Sequence, residues 1–259
     1  AGSALAFDLG ANAVINDSED NANVVYTLNG IDSDVASSGT VTATLQGGGT
    51  TINAIVNRGA GTLTFSSADV QNLPEGSLTL TANVEDAAGN TQTITNSSIT
   101  YDRTIDGHPP LGFDFNGNEI INDSKDEAPV IYRLNGIDSD VVSSGTVTAT
   151  LVGGGTTINA TVDKGAGTLT FSSAAVKTLP EGDLTLNAVV TDAAGNSTTV
   201  VDNSTISYNF NLPVGPSNLN TGVYDVINQH EIHDVKFNLN DLPDDVVDGG
   251  SITATLKTG

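Results

Sequence analysis

The sequence predicts an all-β chain built from tandem antiparallel β-sandwiches. Three observations carry that expectation: a long internal repeat, hydrophobic alternation with period two, and polar, glycine-rich turns between the alternating runs. Asn29-Gly30-Ile31-Asp32-Ser33-Asp34 recurs as Asn135-Gly136-Ile137-Asp138-Ser139-Asp140. Glu85-Asp86-Ala87-Ala88-Gly89-Asn90 recurs as Thr191-Asp192-Ala193-Ala194-Gly195-Asn196, and Leu73-Pro74-Glu75-Gly76 as Leu179-Pro180-Glu181-Gly182. Each offset is 195 − 89 = 106 residues. A third copy starts in register. Ile15-Asn16, Ile121-Asn122 and Ile227-Asn228 keep the period, and Thr42-Ala43-Thr44-Leu45 returns at Thr148 and, one residue short, at Thr253.

Within a repeat the elements follow from alternation. Leu78, Leu80, Ala82 and Val84 alternate with Thr79, Thr81 and Asn83, which gives a strand with one buried face. Val41, Ala43 and Leu45 behave alike, as do Leu63 and Phe65. Gly47-Gly48-Gly49 forms a loop between two strands, and 86–90 a polar turn. Seven strands are expected in the first repeat, at about 4–9, 23–29, 40–46, 50–57, 61–66, 77–85 and 91–101. One helical turn is expected at 67–73, and no other stretch has helical periodicity. The period is too long for a solenoid unit and close to one immunoglobulin-like Greek-key β-sandwich. The expected organisation is repeat 1 at 1–102, a linker at 103–110, repeat 2 at 111–209, a linker at 210–216, and a partial repeat 3 at 217–259.

Charge excludes several partners. Eight Lys and Arg face 31 Asp and Glu, for a net charge of -23. Nucleic acid demands a basic footprint, and none exists. Attraction to an anionic membrane is excluded likewise, and no run approaches the length of a membrane span. Such acidity repels itself, which bound cations relieve. There is no Cys, so neither disulfides nor thiolate sites staple the fold. Met and Trp are absent too, so the core rests on Val, Ile, Leu, Ala and a few Phe and Tyr. No signal peptide is recognisable, and a segment from within a longer chain fits these features.

Three stretches resemble the bacterial Ig-like repeats of giant type I-secreted, RTX-type adhesins. They are 179–186, with its Leu-Pro-Glu-Gly turn before an alternating strand; Asp192-Ala193-Ala194-Gly195-Asn196; and Ile15-Asn16 with Glu19. Their order and spacing, repeated twice, extend the resemblance over nearly the whole chain. Glu75 and Glu181 stand where that family has Asp, Lys125 replaces the loop Glu, and both linkers depart from its usual sequence. The resemblance implies extender modules at the bacterial cell surface, stiffened by calcium where neighbouring repeats of one chain meet.

Candidate ligands are carboxylate and amide oxygens, which calcium prefers. In an immunoglobulin-like sandwich the loops after the second and sixth strands share one pole. In repeat 2 these carry Asp138, Asp140, Asp192 and Asn196, facing Asp102 and Asp106 of the linker and Asp114 of the next strand. Their counterparts in repeat 1 are Asp32, Asp34, Asp86 and Asn90. The opposite pole of repeat 1 offers Asn16, Asp17, Glu19 and Glu75. Crowding these carboxylates without a cation is repulsive.

An enzyme reading fares poorly, although the Asp and Glu counts alone leave carboxylate-pair hydrolysis open. The first two repeats contain no His, and Gly47-Gly48-Gly49 lacks the Lys and helix of a phosphate loop. His230 and His233 are three apart rather than four, so they do not form the zinc-protease pair. His108 has no evident partner. Two rival readings share the repeat architecture: a module that itself binds carbohydrate or protein, and a filament subunit completed by strand exchange. Repeat 3 contains about three strands, so its apolar Val226, Phe237, Leu239, Ile252 and Leu256 are expected to need cover: either the segment is a truncated half-repeat, or, if it is ordered, strands of another copy of the chain complete it.

Overall fold

The computed structural model describes residues 4–105 and 109–209, the strand pair at 219–220 and 238–239, and residue 253. The first repeat contains β1 (Ala6–Asp8), β2 (Val14–Ile15), β3 (Val24–Asn29), α1 (Ser33–Ser38), β4 (Thr40–Gly47), β5 (Thr50–Asn53), β6 (Ile55–Asn57), β7 (Thr62–Phe65), α2 (Ser67–Val70), β8 (Gly76–Glu85) and β9 (Thr91–Tyr101). One sheet has the order β1-β3-β7-β6 and the other β2-β9-β8-β4-β5. The second repeat copies this plan. It contains β10 (Gly112–Asp114), β11 (Ile120–Asn122), β12 (Val130–Asn135), α3 (Ser139–Ser143), β13 (Thr146–Gly153), β14 (Thr156–Asn159), β15 (Thr161–Asp163), β16 (Thr168–Phe171), α4 (Ser173–Val176), β17 (Gly182–Thr191) and β18 (Ser197–Asn209). Its sheets are β10-β12-β16-β15 and β11-β18-β17-β13-β14.

The alternating residues named above face inward. Leu45, Leu63, Phe65, Leu78, Leu80 and Ala82 have no exposed surface, nor do their partners Leu151, Leu169, Phe171, Leu184, Leu186 and Ala188. Each repeat has its own core cluster, as expected for one hydrophobic core per domain.

Three expectations need correction. The expected 4–9 strand is β1, which pairs antiparallel with β3, but a further strand follows it: the chain crosses over, and β2, in a stretch expected to be a loop, pairs in parallel with β9. The segment 50–57 is two strands. The Ala54 N–H still donates to the Ala43 carbonyl at 2.9 Å, while Ile55 already pairs with Thr64 in the other sheet. Both breaks let one strand edge two sheets. The third correction is α1, which starts at an Asp32 N-cap whose carboxylate accepts the Val35 N–H at 3.1 Å. Its six residues are too few to show a helical period. The expected turn after residue 66 is α2, capped by Ser66.

One further difference was invisible in the motifs. The β8–β9 ladder has a bulge in which Leu78 faces Ile99 and Leu80 faces Asn96; in β17–β18, Leu184 faces Ile206 and Leu186 faces Asp202. The second bulge is one residue longer. Beyond it Tyr208 corresponds to Tyr101, because these two face Gly182 and Gly76. Asn209 therefore corresponds to Asp102. In repeat 3, Leu219 pairs with Leu239 as Phe7 does with Leu28 and Phe113 with Leu134. The apolar residues Val226, Phe237, Ile252 and Leu256, like His108, His230 and His233, lie outside the described residues.

Gly39 closes α1 against the end of β8. A Cβ there would stand 2.3 Å from the Glu85 carbonyl oxygen and 2.7 Å from Val35 Cα, both backbone atoms that cannot swing away. Gly39→Ala is expected to cost about 1–2 kcal/mol through overpacking. Urea unfolding of the chain measures this, and an unchanged midpoint would show that the loop yields freely.

Candidate inter-repeat cation site

The turn between β17 and β18 of repeat 2 is organised by Asp192. Its Oδ1 accepts the Asn196 N–H at 2.8 Å, and its Oδ2 accepts the Asn196 side-chain amide at 2.8 Å. This is the local reason for the Asp-Ala-Ala-Gly-Asn spacing: one carboxylate closes a turn that also holds the amide. Asp86 and Asn90 form the same pair in repeat 1, at 2.8 and 2.7 Å. The burial differs. Asp192 and Asn196 are 4% and 7% exposed, whereas Asn90 is exposed and Asp86 half-buried.

Repeat 1 supplies that burial. The Asn16 side-chain amide donates to the Ala194 carbonyl at 2.9 Å, and the Asp17 N–H donates to Asn196 Oδ1 at 2.9 Å. The Asn196 amide in turn donates to the Asp102 carbonyl oxygen at 2.9 Å and to Asp102 Oδ1 at 3.2 Å. A Cβ on Gly195 would approach Asn16 Nδ2 to 3.2 Å, so the glycine permits close contact here as well as the turn's φ of 95°. Asn196 thus fastens the two repeats with both ends of one amide.

Asp140 completes the group. Its Oδ2 accepts the Ala193 N–H at 3.1 Å, joining the α3 loop to the 192–196 turn. Asp102, Asp140 and Asp192 each place a carboxylate oxygen within 4.8 Å of the others. Calcium ligands lie at roughly 2.3–2.6 Å from the ion, so oxygens on opposite sides of it are about 5 Å apart. Hard oxygen donors at this separation fit a calcium ion. Asp138 N-caps α3 and shares a hydrogen bond with Asp140, which holds the Asp138 carboxyl above the usual range and Asp140 below it.

Other expected ligands have different surroundings. Asn16 and Glu19 cap each other: Asn16 Oδ1 accepts the Glu19 N–H at 3.0 Å, and Glu19 Oε2 accepts the Asn16 N–H at 3.1 Å. Glu75 accepts the Arg103 N–H at 2.9 Å and the Thr104 hydroxyl at 3.0 Å, holding the linker against repeat 1. Asp114 ends β10, where its Oδ1 accepts the Asn116 N–H at 2.9 Å. The Asp17 side chain faces Arg103 at 3.7 Å. Asp32, Asp34, Asp86 and Asn90 gather at the opposite pole of repeat 1, with Asp34 held up and Asp32 held down by the hydrogen bond between them. Asp106 lies outside the described residues.

Sequence reading missed two aspartates. Asp20 and Asp126 are 0% and 2% exposed. Asp20 accepts the Tyr101 hydroxyl at 2.6 Å and Asp126 the Tyr208 hydroxyl at 2.5 Å. A usable signal existed: Asp is retained at this place in the loop while Glu19 gives way to Lys125. Asp126 also joins a second carboxylate group with Asp123 and Glu127. That group already has a cation, since Lys177 Nζ stands 2.5 Å from Glu127 and 3.8 Å from Asp126.

One family model of the bacterial Ig-like domain matches residues 10–103, and a second such model matches 111–208. A search of curated proteins finds no match. Among solved structures, the chain is similar to a 1.5-MDa bacterial ice-binding adhesin, with 19% identity over 86% of this chain and 69% of that one and a TM-score of 0.46. It is similar to a Ca2+-stabilized adhesin of an ice-binding Antarctic bacterium, with 22% identity over 87% of this chain and 53% of that one, TM-score 0.45. A tetra-tandem repeat from the extending region of a large adhesion protein gives 23% identity over 78% and 49%, TM-score 0.31. The chain thus spans about half the length of the latter two.

Proposed function

Because the chain belongs to the bacterial Ig-like domain family, with two such domains in tandem, we propose that it is a spacer segment of a bacterial cell-surface adhesin whose inter-repeat junction binds calcium. One observation carries the reading: carboxylates from both repeats, Asp102 from the first and Asp140 and Asp192 from the second, converge within 4.8 Å. Three like charges at that spacing repel, and a divalent cation converts the repulsion into a bond between domains. The same ion would stiffen the rod, because it would tie the end of β9 to both polar loops of the next repeat. Ligand-free turns do not require charges from two domains to meet. No reaction is assigned, and the partners are the adjoining repeats.

Calcium titration by calorimetry, with small-angle scattering on the same samples, tests this. One ion is expected at the junction, with a longer, stiffer particle in calcium than in chelator. Calcium at ten times its dissociation constant should raise stability by about 1.4 kcal/mol by mass action. Asp140→Asn keeps an acceptor for the Ala193 N–H but removes a charge, so it should weaken binding without unfolding the domain. Identical melting and scattering in chelator and millimolar calcium would sink the proposal.

A further inference from the structure

Three Asn-Gly pairs occur, at 29–30, 116–117 and 135–136. In such pairs the following backbone nitrogen reaches the asparagine amide most readily, because glycine has no Cβ in the way. The fold treats the three unequally. Asn29 and Asn135 end strands β3 and β12, where they pair with Ala6 and Gly112. Gly136 is also hemmed in: a Cβ there would stand 2.3 Å from the Pro109 carbonyl oxygen.

Asn116 and Gly117 are the exposed centre of a two-residue turn. The Phe115 carbonyl accepts the Asn118 N–H at 2.9 Å, and φ is 54° at Asn116 and 76° at Gly117. Two left-handed central residues closed by that bond make a type I′ turn. The Gly117 N–H and the Asn116 side-chain amide make no hydrogen bond to the described residues. A Cβ on Gly117 would meet nothing within 4 Å.

We propose that Asn116 is a site of spontaneous, backbone-assisted deamidation, with water as the co-reactant. The Gly117 nitrogen attacks Asn116 Cγ and gives its proton to solvent. The new N–Cγ bond closes a succinimide as the Cγ–Nδ2 bond breaks and ammonia leaves. One water then opens the ring at either carbonyl, leaving aspartate or isoaspartate. Ammonia is lost, water is gained, and the chain becomes one charge more negative. Ring closure here disturbs only a short exposed turn, held by the Asn118–Phe115, Asn116–Asp114 and Lys125–Gly117 hydrogen bonds, whereas Asn29 and Asn135 must leave a strand ladder.

The modified turn lies where the chain crosses from β10 in one sheet to β11 in the other. Lys125 Nζ donates to the Gly117 carbonyl at 2.6 Å, one residue beyond the site of the new carboxylate. Repeat 1 has Gly10-Ala11 in the same turn and so has no amide to lose.

The test is peptide mapping by mass spectrometry of the whole chain, aged in mildly alkaline buffer, with isoaspartate labelled enzymatically. Residue 116 is expected to convert about tenfold faster than 29 or 135, the factor that one retained backbone hydrogen bond imposes on the slower sites. Asn116→Gly keeps the left-handed turn and should abolish the rapid phase of ammonia release. Equal rates at all three asparagines, or an unchanged rapid phase in Asn116→Gly, would overturn the proposal.

Discussion

Tyr101→Phe is expected to lower the stability of the first repeat by about 3 kcal/mol, because it strips a hydrogen bond from a buried charge. Asp20 is fully buried, and the Tyr101 hydroxyl is its short contact at 2.6 Å. The remaining help is distant: Arg103 Nε stands 3.7 Å away and Gln71 Nε2 3.5 Å. Burial, together with the bond to Asp20, pushes the Tyr101 phenol up to about 12. An unfolded tyrosine ionises near pH 10. The raised folded pKa therefore stabilises fully below about pH 10 and is lost as pH rises towards 12. The unsubstituted chain should lose stability across that alkaline window more steeply than the Phe variant. Chemical unfolding at neutral and alkaline pH reads both effects, and equal stability at neutral pH would show that water satisfies Asp20.

The second repeat offers an internal comparison. Among the described residues Asp126 Oδ1 has no hydrogen bond, and its nearby cation is Lys177 at the end of α4, where repeat 1 has Gln71. The first repeat takes its cation from Arg103 in the linker instead. Each buried carboxylate thus keeps one cation nearby, drawn from a different element. Gln71→Lys should therefore recover part of the loss caused by Arg103→Ala, read in the same unfolding assay.

Asn196→Ala should uncouple the two repeats. The amide accepts from Asp17 and donates to Asp102 and Asp192, at 2.9, 2.9 and 2.8 Å. Losing three bonds at about 1 kcal/mol each costs about 3 kcal/mol, most of it at the inter-repeat contact. The expected result is a first melting transition separated from the second and, in chelator, a more bent or flexible particle by scattering. Asn90→Ala removes the equivalent amide from the exposed pole of repeat 1 and serves as the comparison. If Asn196→Ala and Asn90→Ala shift melting equally, Asn196 acts only within its own turn.

Several features were legible from the sequence for one reason: they are local or periodic. Alternation of Leu78, Leu80, Ala82 and Val84 with polar residues specifies a strand and its buried face without reference to any neighbour. The 106-residue repeat makes each such inference twice. The Asp-Ala-Ala-Gly-Asn turn is likewise written in five residues, because Asp192 and Asn196 bond to each other across it.

Pairings between distant parts of the chain were decided only in three dimensions. The breaks at Ala54 and between β1 and β2 exist because an edge segment must serve two sheets, and no short window records which sheet it joins. Asp20 looks like any loop aspartate until Tyr101, on the last strand, closes over it. Among the fifteen candidate ligands, residue type could not separate Asp102, Asp140 and Asp192, which converge, from Asp17, which faces Arg103, and Asp114, which caps its own turn. Carboxylates of equal chemistry differ in role through what the fold sets within a few ångströms of them, and electrostatic coupling falls off with that distance.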